Sequence, residues 1–155
     1  MQTFLCEPTF SLSLAHLDFK RLGKQRVEAY QILLTLNDHW AWSVYTGDRT
    51  LEQYQSKWGN HPAVLMWRDY TSELRRYYNE AINQWLKRGY KNSMVDYWPE
   101  PDEIYPIYPS WYTDELITSH RCRLLQKNYE FYSQYNWNVP DNWKDVRYIW
   151  PVRKG

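Results

Sequence analysis

The stretch Leu17 to Leu36, LDFKRLGKQRVEAYQILLTL, constrains the fold more than any other because it combines a sustained helical period with a row of charges. Leu22, Ala29, Leu33 and Leu36 recur at helical intervals and predict a core-facing side. Arg21, Lys24, Glu28 and Gln31, spaced three, four and three, fall on another. Asp18 offers a carboxylate to the free N–H groups of the first turn, so the helix is expected to start there and to run to about Leu36. Read as surface, the row is a solvated face whose Lys24/Glu28 pair, in its weaker orientation, contributes about 0.2–0.5 kcal/mol. Read as chemistry, it is a stripe facing an active site or phosphates. Gly23 costs the helix about 1 kcal/mol relative to alanine and leaves room for a close approach to the backbone.

Around this helix the pattern stays helical. Residues 1 to 16 fit either a strand or a short lead-in helix. Asn37 to Asn60 reads as a long aromatic connection with one short helix near Leu51 to Trp58 and a turn at Gly47-Asp48. Asn60 as cap and Pro62 in the first turn predict a long second helix through Trp67, Tyr70, Leu74, Tyr77, Ala81 and Trp85, closed by Lys87-Arg88-Gly89. Pro99, Pro101, Pro106 and Pro109 predict an extended loop from Tyr97 to Trp111, because each proline restricts its neighbour. Thr113-Asp-Glu opens a third long helix with Leu116, Ile117, His120, Leu124 and Leu125 inside, and Trp137 to Gly155 reads as an extended aromatic tail. The expected class is all-α: a compact single-domain helical bundle, residues 1–155, with long aromatic- and proline-rich loops.

Composition narrows the chemistry. Cys6 and Cys122 stand far apart with no C-x-x-C spacing, which suggests neither a disulfide framework nor a thiolate metal site. His16, His39, His61 and His120 share no ligand spacing. His61, before a proline, is expected to start a helix, and His120 to complete a polar core contact. No phosphate-binding glycine loop and no G-x-S-x-G elbow occurs. The N-terminus lacks a basic leader and nothing reaches the length of a membrane span, so a soluble cytoplasmic protein is expected. Ten Trp and fifteen Tyr exceed what the core requires and suit interfaces or base stacking, with Trp40, Trp42 and Tyr90 as candidates. The net charge is only +1, yet the cations cluster: Lys20, Arg21, Lys24 and Arg26; Arg75, Arg76, Lys87, Arg88 and Lys91; Arg121, Arg123 and Lys127. Asp96, Glu100, Asp102 and Glu103 form an acidic counterpart.

The order LDFKRLGKQRVEAYQIL, NHPAVLMWRDY, WLKRGYKN and SHRCRLLQKNYEFY resembles the pyrimidine-dimer DNA glycosylase family, endonuclease V type, over nearly the whole chain, and most closely its branch beginning MQTF. The resemblance implies a monomeric all-helical enzyme acting on double-stranded DNA without metal or cofactor. In that family a free N-terminal amine attacks the sugar C1′ as the base leaves, a Schiff base forms, and elimination nicks the strand with the help of a carboxylate. Carried onto this sequence, the carboxylate is Glu28 and the amine belongs to Met1, or to Gln2 after processing. Arg21 stands where the family has a histidine, and Lys24 is the alternative amine. A gapless register from Met1 matches His16 and Arg26 instead but puts Gly23 in the acid's place. The register with Glu28 keeps a carboxylate on the polar stripe. Gln25, Arg26, Lys87, Arg88, Lys91, Arg121, Arg123 and Lys127 are the expected DNA contacts. The alternative from another class is a non-catalytic DNA-binding or protein-interaction module on the same fold.

Overall fold

The computed structural model describes residues 1–97 and 108–151. Most of the proline loop, with Pro99, Glu100, Pro101, Asp102, Glu103 and Pro106, lies outside the described residues, as does the end of the tail. The class is all-α: among the described residues there are eight α-helices and no strand. They are α1 Phe10–Ala15, α2 Phe19–Thr35, α3 His39–Ser43, α4 Leu51–Trp58, α5 Pro62–Trp67, α6 Thr71–Lys87, α7 Asp114–Lys127 and α8 Tyr129–Tyr132. Among these residues no helix is long and apolar enough to cross a membrane.

Helix α2 begins where its sequence says, with the Asp18 carboxylate accepting from Arg21 N–H. Its buried side, including Leu22, Ala29, Ile32 and Leu33, packs chiefly on α6. The close approach at Gly23 is made by Trp85 of α6: a Cβ on residue 23 would sit 3.1 Å from the indole Cζ3. Any larger side chain at this crossing would have to push the ring aside. Helix α7 opens on the Thr113 cap and buries Leu116, Ile117, Leu124 and Leu125.

Three expectations change. The single long second helix is two, because the chain breaks at Asp69, whose φ is +74°, between α5 and α6. The cap of α5 is not Asn60 but His61, whose Nδ1 accepts from Ala63 N–H at 3.0 Å. The connection from Asn37 to Asn60 holds two helices, α3 besides α4. Asp38 caps α3 and pairs at 3.1 Å with Arg75 of α6, which ties the connection to the core. The ambiguous opening resolves as a non-helical segment followed by α1. A 3-10 turn, Ser133–Tyr135, follows α8, and the described part of the aromatic tail makes another, Trp143–Asp145, and packs back on the helices. Cys6 and Cys122 are free and buried.

Candidate active site

Thr3, Phe4, Leu5 and Cys6 are buried although they belong to no helix, so their backbone polar groups need partners from elsewhere. Side chains of α2, α6, α7 and the C-terminal segment supply them. Gln25 Nε2 donates to the Gln2 carbonyl at 3.0 Å, and Gln25 Oε1 accepts from Phe4 N–H at 3.2 Å. The Tyr77 hydroxyl also receives Phe4 N–H, at 3.2 Å. Leu5 N–H donates to His120 Nδ1 at 2.9 Å, Arg121 Nε donates to the Cys6 carbonyl at 2.7 Å, and the Tyr148 hydroxyl donates to the Thr3 carbonyl. Thr3 Oγ1 accepts from Trp67 Nε1 at 3.1 Å. His120 can accept at Nδ1 only while neutral, and burial keeps it so by pushing its pKa down to about 3. The Tyr148 ring stacks on it with centroids 4.0 Å apart.

This clamp delivers the start of the chain to the polar stripe of α2. Gln2 N–H donates to Glu28 Oε2 at 3.1 Å, and Met1 lies one residue upstream. A pocket of about 310 Å³ opens there, and Met1, Lys20, Arg21, Lys24, Glu28 and Lys127 are among its lining residues. It thus gathers one carboxylate, four cationic side chains and the first residue. Arg21 is aimed by Asp18, whose Oδ1 takes Arg21 Nη1 at 3.0 Å and is also bonded by the Tyr132 hydroxyl. Burial would raise the Asp18 carboxyl, but the hydrogen bonds from Tyr132 and Arg21 and the Arg21 charge carry it below its ordinary value. Lys127 reaches the pocket from α7. Partial burial first, then the charges of Arg21, Arg123 and Lys24, depress its ammonium, with Glu28 opposing. His61 is also pushed down, by burial and then by the positive N-terminus.

Of the residues singled out in the sequence, Met1, Gln2, Arg21, Lys24, Glu28 and Lys127 come together here. Gln25 does not face outward but sits inside the clamp, 1% exposed. Arg88 caps the end of α1, donating to the carbonyls of Ala15 and Leu17 at 2.9 and 2.7 Å. Arg121 pairs with Glu7 at 3.1 Å as well as holding Cys6. Arg26 donates to Asn92 Oδ1 at 2.6 Å and lies over the Trp85 ring, while Lys87 and Lys91 are exposed and Arg123 is half-buried. Trp40 and Trp42 are not open stacking surfaces. Trp40 meets Tyr97 edge to face at 4.9 Å, and Trp42 Nε1 donates to the Leu34 carbonyl. Lys20, read in the sequence as part of a cation cluster but given no site role, joins the pocket, as its spacing of four and eight to Lys24 and Glu28 signals. Tyr77, Tyr132 and Tyr148 had no such signal, since each acts on a residue more than seventy positions away.

A family model described as Pyrimidine dimer DNA glycosylase matches residues 1–97, the segment that carries α1 to α6 and every pocket-lining residue except Lys127. No curated protein and no solved structure matches the chain.

Proposed function

Because the chain belongs to the pyrimidine dimer DNA glycosylase family, we propose that its pocket on α2 is an amine-dependent active site that releases a damaged or modified pyrimidine from double-stranded DNA and then nicks the strand. Cyclobutane dimers are the first substrate to test. The protein acts as a single domain, residues 1–155, and as a monomer. What supports the reading is the contact between Gln2 N–H and Glu28, with Met1 lining the same pocket as that carboxylate.

In this mechanism the lone pair of the neutral α-amine of Met1, or of Gln2 where Met1 is removed, forms a bond to C1′. The C1′–N glycosidic bond breaks, and the base leaves with its electron pair and takes up a proton. Opening of the sugar C1′–O4′ bond, with one of the two protons on the attacking nitrogen passing to O4′, gives the protonated Schiff base. Glu28 stabilises the positive charge that develops at C1′ and accepts the C2′ proton, after which the C3′–O bond breaks and the phosphate departs. Water then releases the sugar and regenerates the amine. Arg21, Lys24 and Lys20 hold the phosphates around the reacting sugar, and Lys127 with Arg123 extends that hold along α7. Gln25 contributes by fixing the N-terminal segment. Arg88 and Arg121 contribute by bracing the fold, while Lys87, Lys91 and Arg26 add a more distant cationic flank.

The test is borohydride trapping on ultraviolet-irradiated duplex with EDTA present. A covalent protein–DNA adduct is expected, and its absence across irradiated, abasic and modified DNA would return the chain to a binding module.

A further inference from the structure

Two segments join Thr3 to His61. Trp67, the last residue of α5, donates from Nε1 to Thr3 Oγ1 at 3.1 Å, and six residues back, about 9 Å along the helix, lies the cap His61. The second connection is the C-terminal segment. The Tyr148 hydroxyl donates to the Thr3 carbonyl, the Trp150 ring tilts against that of Tyr148 with centroids 4.4 Å apart, and Trp150 meets His61 edge to face at 5.9 Å. Trp58 of α4 covers the imidazole from another side, also at 5.9 Å. Upstream of Thr3 the chain leads to Met1 at the pocket, and the positive charge of the first amine acts on the His61 ring.

The start of α5 dictates the protonation state of this histidine. Nδ1 accepts from Ala63 N–H at 3.0 Å, so it must keep its lone pair, and the neutral ring carries its hydrogen on Nε2. A second proton would have to enter at Nδ1 and would face Ala63 N–H, donor against donor. Protonation therefore removes the cap of α5, a helix of six residues that is too short to hold its first turn by propensity alone. It also sets a cation against the first amine. The titratable groups facing His61 offer that cation no partner. From α4 comes Lys57, whose ammonium lies 5.0 Å from the Trp58 ring centroid; from the C-terminal segment comes the Tyr148 phenol, which burial holds neutral; and from the N-terminal segment comes the amine. Partial burial first, then the amine, hold the imidazolium below its ordinary value and keep His61 neutral at pH 7.

We propose that His61 is a positioning residue for the first amine: its neutral imidazole holds α5 and so the seat of Thr3, and its protonation in mild acid releases the first residues from their place beside Glu28. The inference rests on the reading of the pocket as amine-dependent. It adds a second proton whose absence the reaction requires, one on the amine and one on His61. The imidazole does not itself relay the amine's proton, because its one lone pair is committed to Ala63.

The experiment follows single-turnover adduct formation on saturating abasic duplex, trapped with cyanoborohydride, from pH 8 to 5 in the native protein and in His61→Asn. Asparagine caps a helix without titrating. Once both groups are protonated, the native rate is expected to fall about 100-fold per pH unit and that of the variant about tenfold. The two should agree within roughly twofold at pH 7.5, with the variant at least about fivefold faster at pH 5. His61→Ala, with neither cap nor proton, should be slower throughout. Parallel profiles for the native protein and His61→Asn overturn the proposal, and so does a His61→Asn variant that is slower at every pH. Hydrogen exchange of the peptide holding Thr3 to Cys6, compared between the two proteins at the same pH, gives a readout free of activity. Protection should be equal at pH 7.5 and higher in His61→Asn at pH 5, and equal protection at pH 5 overturns the hold of His61 on the segment. If no protein forms an adduct at any pH, the amine-dependent reading of the pocket falls and the role of His61 toward the amine falls with it, even where the exchange difference survives.

Discussion

Gln25 Oε1 accepts from the Tyr77 hydroxyl at 2.5 Å while also receiving Phe4 N–H, so one side-chain oxygen joins α2, α6 and the N-terminal segment. Gln25→Leu keeps the volume but removes this acceptor and the donor to the Gln2 carbonyl. Loss of roughly 1 kcal/mol is expected, because the Gln2 carbonyl loses its donor while Phe4 N–H and the Tyr77 hydroxyl keep each other as partners, read as a lowered melting temperature. The freed segment should also lower the yield of trapped adduct at saturating DNA, with duplex affinity nearly unchanged.

Glu28→Gln preserves size and the ability to accept from Gln2 N–H but removes the charge. Base release should fall by about 10²-fold or more with fold and duplex binding retained. Single-turnover assays and anisotropy separate the two, and unchanged turnover would give the acid's role to another residue.

If the first amine is the nucleophile, residues placed before Met1 disarm it by turning it into a peptide nitrogen whose lone pair is delocalised. Extended protein should bind DNA and trap none of it. Should it trap as well as the untagged chain, a lysine is the nucleophile, and Lys24 is the first to replace. Mass spectrometry of the untagged protein is expected to show Met1 retained, since a bulky Gln2 disfavours its removal.

The cations of α7 divide into two kinds. Arg123→Ala and Lys127→Ala should weaken binding to any duplex sequence and reduce the steepness of its salt dependence by about one unit each. Arg121→Ala should instead cost about 2 kcal/mol of stability, because it strands the Cys6 carbonyl and leaves the Glu7 carboxylate without its cationic partner, with Trp137 Nε1 still donating to it. Denaturation and salt titrations of the three variants test this division.

Acid stability follows from His120. Its folded pKa, about 3, lies below the ordinary 6.5, so between these values the unfolded chain binds a proton that the folded one refuses. Stability is therefore present above pH 6.5 and is lost as pH falls toward 3, by roughly 1.4 kcal/mol per unit at most. His120→Gln should flatten that dependence in melts recorded from pH 7 to 4. An unchanged slope would assign the acid sensitivity to other groups.

The parts of this architecture legible in the sequence are those set by near neighbours. Asp18 and the period behind it define α2, and Thr113 defines α7, because cap and helix lie within one turn of each other. The break at Asp69 was hidden since Trp67, Tyr70 and Leu74 keep a helical spacing across it, while a left-handed backbone at an aspartate leaves no mark on the hydrophobic pattern. Within the candidate site, the stripe Arg21, Lys24, Glu28 could be read from spacing. Gln25 was misread as an outward polar residue because its partners, Phe4 and Tyr77, lie 21 and 52 positions away. Periodicity reports that a residue is polar and which face it is on, but not that a buried backbone is waiting for it.

The bond between the Tyr148 hydroxyl and the Thr3 carbonyl spans 145 positions, and it has a consequence in time. At roughly 5–20 residues per second, the ribosome takes about 7–30 s to deliver Tyr148 after Thr3. Throughout that interval the leading residues lack part of their final seat and stay open to the enzymes that trim or acylate new chains. Once Tyr148 closes over His120 and Thr3, Thr3 to Cys6 are enclosed, while Met1 and Gln2 stay at the open pocket. The first residues thus meet those enzymes for many seconds before their seat on Tyr148 is complete.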